Sequence, residues 1–471
     1  MAKSKAYEQA KKNLAREATL AHDLYSPPAR KNIEPFCDAY RAFLDAAKTE
    51  RLAVAEIERL AKLGGFFELN ESATGGKYFL NYRGKIIGLA FLGRASIEDG
   101  VNLVVSHIDS PRLDLKQNPL YEDVGVALLK THYYGGLRKH QWVARPLAIY
   151  GVVVKRDGAA INVAIGDALN DPCFTVLDLL PHLAAKAQAE KKLAEAIPGE
   201  KLNVVIGGRP LGGKDDGRDR IKLNILRLLQ EKYGFIEEDF VSAELEVVPA
   251  GPSRNVGLDG AFVGGYGQDD RVCAYTSLRA MLDLKKQPTR TAVCFFMDKE
   301  EIGSTGNTGA EGRFLFDFLG ELLAREGKPS ERAIRRAMSR TKVLSADVNA
   351  AVDPDWQDVH DKKNAAFIGR GICLTKFTGS RGKYGASDAN AEFVGDIRKL
   401  LNDRKVPWQT GELGKVDEGG GGTVALYFAR HGAEVLDAGT ALLSMHSPFE
   451  LAHKDDIYST YLAYLAFLSK A

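Results

Sequence analysis

Cysteine is scarce in this 471-residue chain, with five residues at positions 37, 173, 273, 294 and 373. They are odd in number, scattered and never in C-x-x-C spacing, which argues against a disulfide framework and against a cysteine zinc site. They read as small buried hydrophobes in a reducing cytosol. No charge of one sign dominates either. Lys and Arg number 64 against 62 Asp and Glu, a net charge of +2, so neither nucleic acid nor an anionic membrane is indicated as the main partner. No apolar run approaches the ~20 residues of a membrane span. The opening MAKSKAYEQAKKNLAREATL mixes acids with bases and lacks an apolar signal core. It reads as an exposed amphipathic helix, and a cytoplasmic location is the expectation. No internal repeat is visible. What remains, 45% hydrophobic and 27% charged, is the balance of an ordinary globular protein, long enough for about two to four domains' worth of chain.

Hydrophobic periodicity divides the chain into three texts. Residues 1–65 carry apolar positions at helical spacing, as in NIEPFCDAYRAFLDAA and AVAEIERLAKLGGF. GGKYFLNYRGKIIGLAFLG then predicts a hairpin, and VNLVVSHIDSP a strand that stops near Pro111. From 113 to 252 strand-like pieces such as PLAIYGVVVKRDGAAINVAIG alternate with turn signals. They are accompanied by one helix over TVLDLLPHLAAKAQAEKKLAEAI and a solvated loop, GGRPLGGKDDGRD. After 253 strands and helices alternate. RTAVCFFMD, KVLSAD, AAFIGRGICLT and AEVLDAG are the strands; DDRVCAYTSLRAMLDLKK, GRFLFDFLGELLAREG and DANAEFVGDIRKLLNDRK are the helices. Such alternation predicts an α/β sheet with helices on both faces. The simplest layout is one α/β domain built from 1–112 and 253–471, interrupted by a mostly β insertion at 113–252.

Carboxylates and histidines recur at the ends of these predicted strands: His107, Asp269 and Asp270, Glu300 and Glu301, Asp347, and His446 in LLSMHSPFE. Ligand sites in open α/β sheets form at the carboxyl ends of strands. A pair of divalent ions ~3.5–4 Å apart needs a bridging carboxylate and further N/O ligands. His107 and Asp347 would serve one ion, Glu301 and His446 the other, with Asp269 bridging; the donors suit Zn, and Mn or Co equally. Asp109, two residues after His107 on the same strand face, would accept the second ring N–H of His107. Glu300, at a bend leaving its strand, would accept a proton from the attacking water and pass it to the leaving amine. Each group also has a plainer reading: a lone strand-end histidine is more often structural, and adjacent acids are usually a solvated face. Asp270 could be a second ligand, but reads more readily as a helix N-cap. GSTGNTG lacks the Lys-Ser/Thr of a phosphate loop and reads as a tight turn. Gly419–Gly422 either exposes backbone N–H groups to substrate or forms a flexible turn.

The blocks SHIDSPRLDLK, DDRVCAYTSLRAML, DKEEIGSTGNTGAEG, LSADVNAAV and LLSMHSPFE, in this order, resemble the M18 aminopeptidases, the aspartyl aminopeptidase family. The resemblance runs through nearly the whole chain. It implies a zinc-peptidase-like α/β fold, a dinuclear site with His107, Asp269, Glu301, Asp347 and His446 as ligands, and Glu300 as base. It also implies that the insertion is a dimerisation domain, with dimers assembled into a tetrahedral homododecamer acting on peptide substrates. Eukaryotic members carry a lysine in the loop matching GSRGKYGASDAN; Arg381 stands there, beside Lys383 and Tyr384. Arg381 and Tyr384 are therefore expected to contact substrate, with acidic (Asp or Glu) N-termini preferred. By the same resemblance the Asp269–Asp270 peptide bond is expected to be cis. His182 in LLPHLAAKA is expected to reach a neighbouring subunit's active site; the plainer reading is that Pro181 and His182 shape a local helix. Two other functions stay open on the residues alone: a dinuclear amidohydrolase such as a deacylase, and a self-assembling shell with a vestigial metal site.

Overall fold

The computed structural model describes residues 4–16, 18–70, 75–213 and 215–470. Residues 1–3 of the expected N-terminal helix and Lys214 of the Gly-rich loop lie outside them. The first helix, Lys5–Leu14, buries none of its residues. Helices Pro27–Ala46 and Glu50–Leu63 follow. No helix among the described residues is long and apolar enough to cross a membrane.

The centre of the molecule is a nine-stranded sheet. Four strands lie parallel at its middle, in the spatial order Ala292–Met297, Asn102–His107, Lys342–Ser345 and Glu434–Gly439. The predicted hairpin, Lys77–Tyr82 with Ile86–Phe91, pairs antiparallel on one side. The alternation of each strand sorts its side chains between two cores, as a strand buried on both faces requires. Val104, Cys294, Phe296, Leu344 and Leu436 enter the core shared with helices Gln268–Leu282 and Lys454–Leu468. Leu103, Val105, Val293, Phe295 and Val343 enter the other, under helices Phe314–Arg325 and Glu331–Arg340. Because the four middle strands run the same way, their carboxyl ends form one edge: Met297 pairs with His107, and Ser345 lies opposite Val105. A five-stranded sheet, which includes Phe262–Gly265, Ala441–Leu443 and Glu450–His453, brings two later segments to the same edge.

The segment between forms its own seven-stranded antiparallel sheet, from Arg112–Asp123 to Ala243–Pro249, with a separate apolar core. Two expectations fail here and one fails in the main sheet. The single helix expected over 175–197 is broken. Thr175–Val176 is a strand, and only Pro181–Ala187 and Leu193–Ala196 are helical. Pro181 starts its helix and holds Leu180 extended, so the helix cannot grow backwards through it. The cysteines are all unpaired, but Cys173 is exposed rather than buried. The strand expected over AAFIGRGICLT shrinks to Ile372–Thr375, because Gly369 and Gly371 take φ of +77° and +87° and give their N–H groups to Asp456 instead of a ladder.

The inserted sheet is held against the main body by a buried ionic cluster. Glu50, at the start of Glu50–Leu63, meets Lys85 at 3.3 Å and Arg112 at 3.4 Å. Arg112 also meets Asp114 at 2.8 Å and Glu246 at 3.3 Å, both on the insertion's strands. Burial disfavours charge on both glutamates, but Arg112 and Lys85 hold Glu50 well below the ordinary carboxylate range. Burial, with Glu50 and Asp114 nearby, pushes Glu246 well above it. The folded protein therefore binds a proton at Glu246 that the unfolded chain releases above its ordinary value of 4.5. Stability then falls as pH rises from that value toward the folded one. Glu246→Gln removes this dependence: its Tm relative to the parent is expected to move in the variant's favour as pH rises above 4.5. Glu50→Gln breaks a buried pair and is expected to cost about 3–5 kcal/mol at neutral pH. Thermal melts of both variants across pH check both outcomes.

Candidate metal centre

Each candidate side chain reaches the carboxyl edge by a different local route. His107 is the last residue of its strand. Beyond Met297 the chain turns through Lys299, at φ +69°, into a short 3-10 turn at Glu300–Ile302, and Gly303 closes it at φ +90°. Asp347 follows Ser345 by two residues. Asp269 lies near the start of Gln268–Leu282, outside helical dihedrals, and the Asp269–Asp270 bond is cis, as expected. His446, at φ +63°, lies between the strands Ala441–Leu443 and Glu450–His453.

Asp269 sits at the middle. Its Oδ1 is 3.1 Å from His107 Nε2 and its Oδ2 is 3.1 Å from His446 Nε2. Asp347 Oδ1 lies 3.9 Å from His107 Nε2, and Glu301 Oε2 lies 3.6 Å from His446 Nε2. Two sets result, His107–Asp269–Asp347 and Asp269–Glu301–His446, the donor atoms of each lying within 4.8 Å of one another. Glu300 Oε2 stands 4.0 Å from His107 Nε2. Arg381 lines the same cavity of about 830 Å³, together with Gly419–Gly422. The Gly420 backbone, at φ +123°, runs so close to Gly379 that a side chain would strike its carbonyl. Tyr384 is 77% exposed and does not line the cavity. His182 is exposed on the inserted sheet's short helix and is also absent from the lining.

The electrostatics are those of a donor set short of positive charge. Asp109, Asp269, Asp270, Glu300, Glu301 and Asp347 crowd around two imidazoles. Burial pushes Glu300 up to about 7, opposed by His107 and reinforced by Asp109 and Asp269. Burial likewise lifts Glu301 and Asp347 well above the carboxylate range. For His446, burial opposes the charge, but the Asp269 hydrogen bond and the Glu301 carboxyl outweigh it and lift the imidazole to about 11. Glu301 Oε1 is buried without a hydrogen-bond partner among the described residues. Oxygen and imidazole donors, one orphaned buried oxygen and a carboxylate shared by two sets fit a pair of divalent cations.

Supporting contacts correct two expectations. Asp109 lies beyond its strand, not on it. His107 Nδ1 donates to the Asp109 carbonyl at 3.0 Å, with the carboxylate at 3.3 Å, leaving Nε2 to face Asp269 and Asp347. The Asp109 carboxylate accepts the N–H groups of Glu300 at 3.1 Å and Glu301 at 3.2 Å. Asp270 is no helix cap; its Oδ2 accepts the His107 N–H at 3.2 Å. Three supports escaped the sequence. Glu450 accepts the N–H of His446 at 2.7 Å and of Asp269 at 3.2 Å; its presence in LLSMHSPFE was the available signal. Tyr134 donates to Asp109 at 2.8 Å, and the Gly136 carbonyl accepts from His446 Nδ1 at 2.7 Å. Both come from the insertion and carried no signal beyond a Gly pair.

A family profile described as Aminopeptidase I zinc metalloprotease (M18) matches residues 43–468. The probable M18 family aminopeptidase 1 of Thermotoga maritima is 49% identical over 445 residues, 94% of this chain and 97% of that one. A crystal structure of an M18 aminopeptidase from Thermotoga maritima superposes with a TM-score of 0.92 at 47% identity, covering 97% of this chain and 100% of the other. The yeast mApe1 dodecamer structure, at 20% identity, shares the fold with a TM-score of 0.74 over 93% of this chain and 97% of its own. The chain belongs to the M18 family of zinc metalloaminopeptidases and is a hydrolase of that class.

Proposed function

We propose that this aminopeptidase is dinuclear and removes the N-terminal residue of peptides with two divalent ions per subunit, zinc before manganese or cobalt. The observation that carries the reading is Asp269, with one oxygen 3.1 Å from each imidazole. His107, Asp269 and Asp347 would hold one ion; Asp269, Glu301 and His446 would hold the other. Bound ions supply Lewis-acid polarisation of the scissile carbonyl and an anchor for the free α-amine. The chain's own residues do the rest. Glu300 takes a proton from the attacking water and returns it to the leaving nitrogen. Glu300 lies outside both ligand sets, with Oε2 4.0 Å from His107 Nε2, so its carboxylate is free to carry that proton both ways. Asp109 orients His107 and, through two N–H groups, fixes the turn that carries Glu300 and Glu301.

The first-residue pocket takes its selectivity from Arg381. Lys383 is engaged with Asp388 at 2.8 Å and lies over Phe377, whereas Arg381 has no ion pair among the described residues. A cation facing the cavity favours acidic N-termini and disfavours basic ones. Tyr384, three residues on, would contact longer substrates at the rim. The insertion at 113–252 serves as the dimerisation domain: Leu177, Leu180 and Leu183 are 62%, 52% and 61% exposed around His182, an apolar surface suited to a second copy. From there His182 would enter the partner's active site and help hold the developing oxyanion. Dimers would build a tetrahedral dodecamer, in keeping with the yeast dodecamer, and work in the cytoplasm.

Glu300→Gln is expected to retain its zinc, by metal analysis, while kcat on aminoacyl anilides falls by roughly 10²–10⁴-fold. A free dipeptide is expected to be cut and its N-acetyl form spared, the opposite of a deacylase. Arg381→Ala is expected to lose about tenfold in kcat/KM on Asp or Glu substrates and much less on Leu; equal losses would remove Arg381 from selectivity. His182→Phe and Glu300→Gln subunits, each nearly inactive alone, are expected to regain activity when mixed into dimers. No recovery despite proven mixing would put His182 outside the partner's site.

A further inference from the structure

The insertion touches the ligand cluster of its own chain at the end of one of its strands. Its strand Val126–Tyr134 ends in Tyr134, and the next two residues are glycines. These three consecutive residues make four different contacts. The Tyr134 hydroxyl donates to Asp109 Oδ2 at 2.8 Å, the same carboxylate that receives the Glu300 and Glu301 N–H groups. The Tyr134 ring lies over the Arg112 guanidinium at 3.9 Å, and Arg112 is anchored by the ionic cluster that joins the two bodies. The Gly136 carbonyl takes the Nδ1–H of His446 at 2.7 Å, which leaves Nε2 directed at Asp269 and Glu301. Gly135, between them at φ +73°, runs so close that an added Cβ would stand 3.2 Å from Glu301 Cβ and 3.3 Å from its Oε2.

We infer that Tyr134–Gly136 is an intrachain strap through which the inserted sheet positions the active site of its own subunit. Its residues are positioning residues, since none reaches the reacting atoms. Tyr134 fixes Asp109, and Asp109 fixes both the base and His107. Gly136 selects the His446 tautomer. Gly135 sets how near the strap lies to Glu301. A carboxylate that accepts two backbone N–H groups can still rotate; a third donor, itself held by a stacked and paired arginine, removes that freedom. The Nδ1–H···O=C bond at His446 is the outer partner that a ligating imidazole needs to present Nε2. Chain sequence explains the economy of the device: a strand that ends in Tyr and two glycines delivers a side-chain donor, a backbone acceptor and a close approach within three residues.

The inference rests on the assignment of Glu300 as base and of His107, Glu301 and His446 as ligands, so its test carries two readouts. Tyr134→Phe keeps the ring on Arg112 and removes only the hydroxyl. In the zinc-loaded enzyme kcat is expected to fall about tenfold with KM within about twofold. Zinc affinity, read by competition with a chromogenic chelator, is expected to weaken by about tenfold, the scale of a lost outer partner. Gly135→Ala, strained and pressed on Glu301, is expected to weaken zinc binding further. The Tm of Tyr134→Phe is expected to stay near the parent's. Tyr134→Leu serves as the packing control. If Tyr134→Phe behaves as the parent while Tyr134→Leu loses activity, the ring and not the hydrogen bond matters, and the inference falls. It falls equally if both Tyr134→Phe and Gly135→Ala keep kcat and zinc affinity within about twofold. Glu300→Gln is run alongside: should it stay active, the assignment of the base is wrong, whereas an inactive Glu300→Gln beside parent-like strap variants overturns the strap alone.

Discussion

Buried negative charge at one edge of a parallel sheet is the constraint on which the molecule depends. Taking a carboxylate out of water is costly unless a partner compensates it. Here Asp269 is buried, and Glu301 and Asp347 are partly buried beside it, within reach of two histidines. Cations are the natural compensation, and every neighbouring element limits how the acids can rearrange without them. Parallel strands bring His107 and the Glu300 turn to one side, a kinked helix start brings Asp269 between them, and the five-stranded sheet carries His446 to the far oxygen of Asp269. Backbone N–H groups then lock the arrangement from behind, through Asp109, Asp270 and Glu450.

The same logic appears a second time, away from the chemistry. Glu50, Glu246 and Arg112 are buried where the two bodies meet, with Lys85 and the partly exposed Asp114 at the margin of the cluster. Such a cluster adds little net stability compared with an apolar contact. It specifies geometry: Arg112 can satisfy its neighbours in few orientations, and the ring of Tyr134 lies upon it. The two bodies therefore meet through directional contacts that fix how one is placed on the other.

Much of this was legible in the chain. Apolar runs such as VCFF and NLVV bury both faces and leave their acids and histidines at the strand ends, so the convergence of His107, Glu301 and Asp347 follows once the strands are taken as parallel, whereas Asp269 and His446 arrive by a helix start and a second sheet. The contributions of Tyr134 and Gly136 do not follow, because a phenol and a carbonyl acquire their roles only from partners distant in sequence. Asp270 misled for the same reason: its local signal was a cap, and a distant N–H claimed it. Helical periodicity over 175–197 misled in another way. The leucines there repeat as a helix would, yet Leu177, Leu180 and Leu183 are exposed and the helix is broken at Pro181.

Glu450 has one more implication. By holding the N–H groups of both Asp269 and His446, it joins the middle of the chain to a strand made some 180 residues later. During synthesis the earlier ligands emerge first, but Asp269 lacks both its second imidazole and its backbone clamp until the segment through Glu450 has left the ribosome and paired with Phe262–Gly265. The meeting of His446 with Asp269 therefore waits for the last strand, and the closing helix Lys454–Leu468 packs onto the main core only after it.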